Sequence, residues 1–329
     1  MARISADDLE RLCFDAIVAA GGATAPAVSL ARNTVMTECM GQVNHGVRHL
    51  FDYLSALREG RIDGKAVPDI THPAQTMILS DAGGGIAQLG FDIAFDQLIE
   101  RTQDLGMAIF LQNNSFTCGA LGLFAWRLAR EGLVAWAGTN GPPLLAGSGS
   151  KKPVFCTNPM AFSAPQADGP PMLIDQSSSA TAFAEIRAAA REGKTIPEGW
   201  AIDADGNPTT DPNEAIKGAL LGFGGSRGAN IAMMMEIMSA GLSGANWGLD
   251  APSFLTGNES PATGMYVVAI NPHPIDPQFE ERLAKHLKRL KEEYGVYVPG
   301  ISKGLEYERA RAEGIDIADE TIEQLRSMI

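Results

Sequence analysis

Cysteine is scarce in this sequence, and so is histidine. Cys13, Cys39, Cys118 and Cys156 form no Cys-x-x-Cys pair and have no histidine at ligand spacing. That argues against a zinc knuckle and, in a chain of 329 residues, against a disulfide scaffold; reduced thiols and no metal are expected. Positive charge is also short: 26 Lys and Arg against 39 Asp and Glu leave a formal charge of −13. Binding to a phosphate backbone depends on Lys and Arg neutralising phosphates, so no nucleic-acid partner is expected. No apolar run reaches the roughly 20 residues a membrane helix needs. The start, Met1-Ala2-Arg3-Ile4-Ser5-Ala6-Asp7-Asp8, turns polar at once without a signal-like apolar core, which places the protein in the cytoplasm. Finally, no Gly-x-Gly-x-x-Gly stretch follows a strand with an acid about 20 residues on, so the usual dinucleotide-binding unit is not expected.

What is present is 45% apolar residues with charges spread along the chain, enough to bury a large core in two lobes or one composite domain. Ser5, followed by Asp8, reads as an N-cap, and Leu9, Leu12, Cys13, Ala16 and Ile17 then recur at helical spacing until Gly21-Gly22. Further amphipathic segments at 25–40 and 49–59 make the N-terminal part helical. From Pro68 the texture changes. Short apolar runs at 76–80, 107–111, 133–137 and 172–175 read as buried strands, with helical patterns between them at 93–101, 122–130 and 180–191. Residues 194–212, rich in Gly, Pro, Asp and Thr, read as a long loop. An apolar helix follows at 229–238, then a strand at 265–270 and a charged amphipathic helix at 277–294.

Four places carry groups suited to chemistry. Asn44-His45-Gly46-Val47-Arg48-His49 sets an imidazole beside a guanidinium at a glycine bend, a proton donor next to an anion holder, or equally a surface histidine near a helix start. The segment from Asn113 to Gly122 leads from a strand into a helix, so its backbone N–H groups and hydroxyls can receive phosphate; an ordinary strand-to-helix turn reads the same way. Gly224-Gly225-Ser226-Arg227-Gly228 has the same logic, with Arg227 as a fork for phosphate or carboxylate. Asp175, at a strand end before Ser177-Ser178-Ser179, either orients His45 or caps the next helix. Cys118, with no base near it in sequence, reads as a packed thiol.

The ordered set of segments resembles the malate/L-lactate dehydrogenase family that lacks the Rossmann fold. The matching stretches include Asn44 to Arg48 with Tyr53 and Gly60, Asn114-Ser115 to Gly119, Thr139-Asn140, Cys156-Thr157-Asn158-Pro159-Met160-Ala161-Phe162, Ile174-Asp175, Ile196-Pro197-Glu198-Gly199-Trp200-Ala201, Pro208-Thr209-Thr210-Asp211-Pro212 and Gly224 to Gly228. The resemblance implies a non-Rossmann α/β fold with a mixed sheet, a helical and dimerising part at 1–75 plus 265–329, and a cofactor-binding part at 76–264. It also implies a homodimer using NADPH or NADH, with NADPH preferred, on a small 2-imino or 2-oxo carboxylate.

Position by position, the resemblance makes His45 the proton donor with Asn44 beside it, where the family usually has Ser, and gives Glu185 a part in relaying charge or holding an iminium. Arg48, His49 and Asn140 are expected at the substrate. Thr117, Cys118, Gly119, Ala120, Leu121, Asp175, Ser177, Ser178, Ser179, Ser226, Arg227, Lys303 and Arg309 are expected at the cofactor. Thr117-Cys118 stands where a His-Phe pair is frequent, which removes a base useful for alcohol oxidation and leaves imine reduction feasible. The expected activity is therefore reduction of Δ1-pyrroline-2-carboxylate and Δ1-piperideine-2-carboxylate. The rivals are a 2-hydroxy-acid dehydrogenase acting on malate, lactate or sulfolactate, and an inactive cofactor-binding homologue.

Overall fold

The structure, a computed structural model, describes residues 2–329. The N-terminal part runs β1 (Ala2–Ile4), α1 (Ala6–Ala19), α2 (Thr24–Cys39) and α3 (Val47–Arg58). The middle follows as β2 (Asp69–Ala74), β3 (Met77–Asp81), α4 (Ala87–Leu105), β4 (Met107–Ser115), α5 (Gly122–Arg130) and β5 (Val134–Thr139). Next come β6 (Leu145–Ala146), β7 (Pro153–Phe155), β8 (Met160–Ala164), β9 (Met172–Gln176), α6 (Phe183–Glu192), β10 (Ala201–Ile202), β11 (Pro208–Thr209), α7 (Pro212–Lys217), β12 (Ala219–Leu220) and α8 (Ser226–Glu236). The chain ends with β13 (Thr263–Ile270), α9 (Phe279–Tyr294), α10 (Ile301–Glu313), β14 (Ile315–Ile317) and α11 (Asp319–Arg326). Among the described residues, no helix is long and apolar enough to cross a membrane.

Local chemistry starts the first helix as its sequence suggests. Ser5 Oγ accepts the Asp8 N–H at 3.1 Å and donates to the Asp8 carboxylate at 2.6 Å, satisfying an orphan donor of the first turn. The buried stripe Leu9, Cys13, Ala16 and Ile17 then packs into a core shared with α2, α3, α10 and α11, while β1 pairs antiparallel with β14. N- and C-terminal segments thus share one helical layer.

The main sheet has seven strands in the order β2-β3-β4-β13-β5-β8-β9, with β3 and β4 its one parallel pair. Helix α4 makes the crossover between those two, as a parallel pair requires. Phe91 of α4 meets Phe110 of β4 and Phe124 of α5 edge to face, with centroids 5.6 and 4.9 Å away, so both helices cover the same face of the sheet. A division of the chain at 264/265 cuts through β13, and that strand lies in the middle of the sheet rather than in the helical part; its buried Met265, Tyr266, Val267 and Ala269 explain why.

A second sheet, β11-β10-β12-β6-β7, carries α6 and α7 around Leu145, Ile186, Ile196, Ala201 and Leu220. Here residues 194–212, expected as a loop, contain a hairpin. Ala201 and Ile202 pair with Thr209 and Pro208 around a turn in which the Asp203 carboxylate accepts the N–H groups of Asp205 and Asn207 at 3.0 and 2.9 Å.

Helix α10 is pinned to β9 at its start. Leu173 N–H donates to Pro299 O at 3.1 Å, and Gly300, with φ +87°, sits so close that a Cβ would lie 2.3 Å from Leu173 N. Gly300→Ala combines left-handed strain with overpacking. It should destabilise the fold by about 2 to 4 kcal/mol, read as a lower melting temperature; an unchanged melting temperature would contradict this packing.

Candidate active site

His45 lies in a tight turn between α2 and α3 in which the N–H groups of His45 and Gly46 both donate to Gln42 O, at 2.9 and 3.1 Å. Helix α3 then begins at Val47 with no side-chain cap of its own. Its first N–H is taken by Glu38 Oε2, at 2.8 Å, reaching across from the last turn of α2. His49 Nδ1 is 2.9 Å from Asp52 Oδ2, and the His49 ring stands edge-on to Tyr53 and His45 with centroids 5.1 and 6.3 Å apart. Arg48 is exposed and, among the described residues, has no ion pair.

His45 is exposed to solvent, and the sides of it that meet protein form a cleft with Tyr53, Gln88, Cys118, Gly119 and Ala120. Burial on those sides, and after it the positive neighbours His49 and Lys303, pull its pKa down to about 4. The turn opposite is fixed by a hydroxyl and an amide. Tyr53 O–H donates to Thr117 O at 2.7 Å and accepts from Gln88 Nε2 at 3.1 Å and Thr117 Oγ1 at 3.2 Å. Gln88 Nε2 also donates to Cys118 O at 3.0 Å. Burial, and next the Asp175 charge, push the Cys118 thiol up to about 12, so it is a packed side chain. Ala120 and Leu121 are buried beside it.

Asp175 acts electrostatically on the same turn, raising the pKa of the Cys118 thiol. Its Oδ2 accepts the Gly122 N–H at 3.1 Å and so caps a helix, but the helix is α5, 53 residues earlier in the chain, rather than the next one. A Cβ on Gly122 would lie 2.6 Å from that oxygen. Burial raises the Asp175 pKa and the Lys303 ammonium opposes it. Lys303, in the first turn of α10, therefore acts electrostatically on both His45 and Asp175.

Beyond Asp175 the serines pass against the glycine turn. Ser178 is fully buried and donates to Asn158 O at 2.8 Å, while Ser179 Oγ donates to Thr181 O at 2.6 Å and lies 2.9 Å from Ser177 Oγ. Phe223 N–H returns to Ser178 O at 3.1 Å, and a Cβ on Gly228 would lie 2.5 Å from that same oxygen. At the start of α8, Gly224, Gly225 and Ser226 line a cavity of about 380 Å³ together with Gly147, Ser150 and Ala180. Gly224 and Gly225 have φ of +58° and +69°, and Arg227 next to them is exposed and, among the described residues, has no ion pair.

Three expected residues are engaged by other groups or lie elsewhere. Asn140 is buried and its amide is engaged at both ends by backbone, donating to Asn246 O at 2.9 Å and accepting from Gly264 N–H at 2.8 Å, so it clamps β5 to the segments around it. Arg309 spends its guanidinium on Glu306 and Glu313 of its own helix. Glu185 is exposed in the first turn of α6, on the second sheet's lobe, without a hydrogen-bonded side chain. Asn44 stands beside His45 in its turn, as expected, and both are exposed. In turn, Glu38 and Gln88 escaped the sequence reading. For Glu38 a signal existed: Leu30, Thr34 and Glu38 follow at steps of four, which sets an acid on the buried stripe of α2, where it needs a partner.

The sequence model of the family described as malate/L-lactate dehydrogenase matches residues 4–326. A Δ1-pyrroline-2-carboxylate/Δ1-piperideine-2-carboxylate reductase of Pseudomonas putida is 34% identical over 313 residues, 94% of this chain and 92% of its own. A (2R)-3-sulfolactate dehydrogenase (NADP+) of Chromohalobacter salexigens is 33% identical over 327 residues, 98% of this chain and 97% of its own. The crystal structure of the Δ1-piperideine-2-carboxylate reductase of Pseudomonas syringae pv. tomato superposes with a TM-score of 0.95 at 33% identity, covering 100% of both chains.

The depressed His45 pKa has a consequence for stability. Between its ordinary value of 6.5 and about 4, the unfolded chain binds a proton that the folded chain refuses, so falling pH favours unfolding in that window. The effect is small because one face of the ring is in water. In His45→Gln it is absent, so the melting temperature of this variant should rise relative to wild type as the pH falls from 6.5 to 4; a constant difference would contradict the assignment.

Proposed function

The chain belongs to the malate/L-lactate dehydrogenase family, and from that premise we propose that it reduces cyclic 2-imino acids, Δ1-pyrroline-2-carboxylate to proline and Δ1-piperideine-2-carboxylate to pipecolate, with His45 as proton donor. The observation that carries this reading is the wall facing His45. The turn there offers Thr117 and a packed Cys118 rather than a second imidazole, and an iminium carbon takes hydride without the strong base that alcohol oxidation needs. The imine reductase of Pseudomonas putida is among the relatives.

A nicotinamide cofactor fits the residues at hand. The cavity of about 380 Å³ is lined by Gly224 and Gly225 at positive φ and by Ser226 and Ala229 of the first turn of α8, and among the described residues Arg227 and Lys303 have no ion pair. Thr117 to Leu121, Ser177, Ser179, Ser226, Arg227 and Lys303 would hold it, and when bound it supplies the hydride. An unpaired arginine beside the cavity suits the 2′-phosphate of NADPH better than the hydroxyl of NADH. Arg48 is free to meet the substrate carboxylate, whereas His49 is committed to Asp52. The carboxylate's negative charge raises the His45 pKa from its low starting point, so the ring takes up a proton as substrate binds and passes it to the imine nitrogen.

The same reading includes a homodimer in the cytoplasm. Met233, Met234, Ile237, Leu242, Trp247 and Leu249 are exposed in and after α8, an apolar surface a second copy would cover, and four free cysteines suit a reducing compartment. Residues 1–75 with the segment after β13 would form the helical part, and the segment from β3 to β13 the cofactor-binding part, which also carries this apolar surface. A second reading, a 2-hydroxy-acid dehydrogenase, is favoured by the sulfolactate dehydrogenase among the relatives.

Loss of NADPH absorbance, and then of NADH absorbance, with both cyclic imines and in parallel with pyruvate, oxaloacetate and 3-sulfopyruvate distinguishes the readings. Turnover of the imines is expected; turnover of a keto acid alone supports the second reading, and nucleotide binding without turnover supports an inactive homologue. His45→Ala should lower kcat by roughly 10²- to 10⁴-fold with nucleotide affinity unchanged.

A further inference from the structure

Glu38 is 7% exposed, an acid on the buried stripe of α2, and its desolvation is opposed by a single hydrogen bond and by the charge of Arg48. That bond, Val47 N–H to Oε2 at 2.8 Å, meets the first orphan donor of α3, whose positive end favours a carboxylate. The same carboxylate fills the space over Gly46. A Cβ there would lie 1.9 Å from Oε2 and 3.3 Å from the Glu38 Cβ, so position 46 cannot carry the Ser, Thr or Asp that ordinarily caps a helix. His45 sits directly before this glycine. Its turn is held at one end by Gln42 O and at the other by Glu38, and by no side chain of its own.

We propose that Glu38 is a positioning residue for His45: by accepting the Val47 N–H and packing on Gly46 it fixes the turn that carries the ring, and it is the reason position 46 is glycine. The proposal rests on His45 being the proton donor of the reaction proposed above.

Four variants test it: Glu38→Gln, Glu38→Ala, Gly46→Ala and the double variant Glu38→Ala/Gly46→Ala. They are read by kcat and KM on whichever 2-imino or 2-oxo acid the wild type reduces, by nucleotide affinity from nicotinamide fluorescence, and by NMR titration of the histidine rings, with His45 identified by its loss in His45→Gln. Glu38→Gln keeps an oxygen for Val47 and should stay near wild-type kcat. Glu38→Ala should lose roughly ten- to a hundredfold in kcat with nucleotide affinity intact, the loss expected of a misplaced reactive group. With the turn released, the His45 ring becomes better solvated between His49 and Lys303, and its titration should move up toward the ordinary value of about 6.5. Gly46→Ala should match Glu38→Ala, and adding it to Glu38→Ala should cost little more, because the carboxylate it strikes is gone.

Unchanged kcat and an unmoved His45 titration in Glu38→Ala overturn the proposal, as does a Gly46→Ala loss equally large in both backgrounds. If Glu38→Ala does not fold, Gly46→Ala and Glu38→Gln decide by the same readouts. If the wild type reduces no imino or oxo acid, the proposed function fails, and the His45 titration still decides whether Glu38 holds the turn.

Discussion

The insertion of β13 between β4 and β5 is the constraint on which the other parts depend. Antiparallel to both neighbours, and buried along most of its length, it joins segments about 130 residues apart into one sheet. Its first residue fixes the site. Thr263 Oγ1 reaches the carbonyls of Ser115 and Phe116, at 3.1 and 2.9 Å, so the strand that centres the sheet also sets where β4 ends and the turn at Thr117 begins. The next residue, Gly264, holds Thr139 and Asn140 at the end of β5.

Around this frame a single device recurs. Glu38 takes the N–H of Val47 beside Gly46, Asp175 takes that of Gly122, and Glu236 takes that of Gly248 at 2.5 Å. Each carboxylate is held back from water, each has its pKa raised by desolvation first, and each lies against a glycine where a Cβ would crowd it. An acid placed this way ties distant chain segments together through one charge-assisted bond, while the missing Cβ gives it room. Two of the three bear on the proposed site, since Glu38 fixes the start of α3 and Asp175 the start of α5. The third continues the pattern toward α8, because Glu236 also accepts from Asn158 at 2.7 Å, and Asn158 O receives the Ser178 hydroxyl.

Much of the proposed site could be named from the sequence because its signals are local. A histidine before a glycine at a helix start, and a glycine-rich turn with an arginine before another, are short stretches whose chemistry can be read in place. Asp175 was legible as a capping acid, but not which helix it caps. Asn140 and Arg309 were misplaced for a related reason: an asparagine at a strand end and an arginine on a helix have the same local pattern whether they face a ligand or are engaged by backbone and by neighbouring glutamates.

The sequence alone determined the helical N-terminal part, most long strands and the cap at Ser5, because helical and strand periodicities and a side chain three residues from its partner act over short distances. It also carried enough ordered motifs to identify the family. Only the tertiary structure decided that β13 enters the centre of the sheet, that residues 194–212 form a hairpin, and that Glu38 meets Val47 and Asp175 meets Gly122. Those outcomes depend on which distant backbone groups come to lie opposite one another, and pairing across tens of residues leaves no periodic trace in the chain.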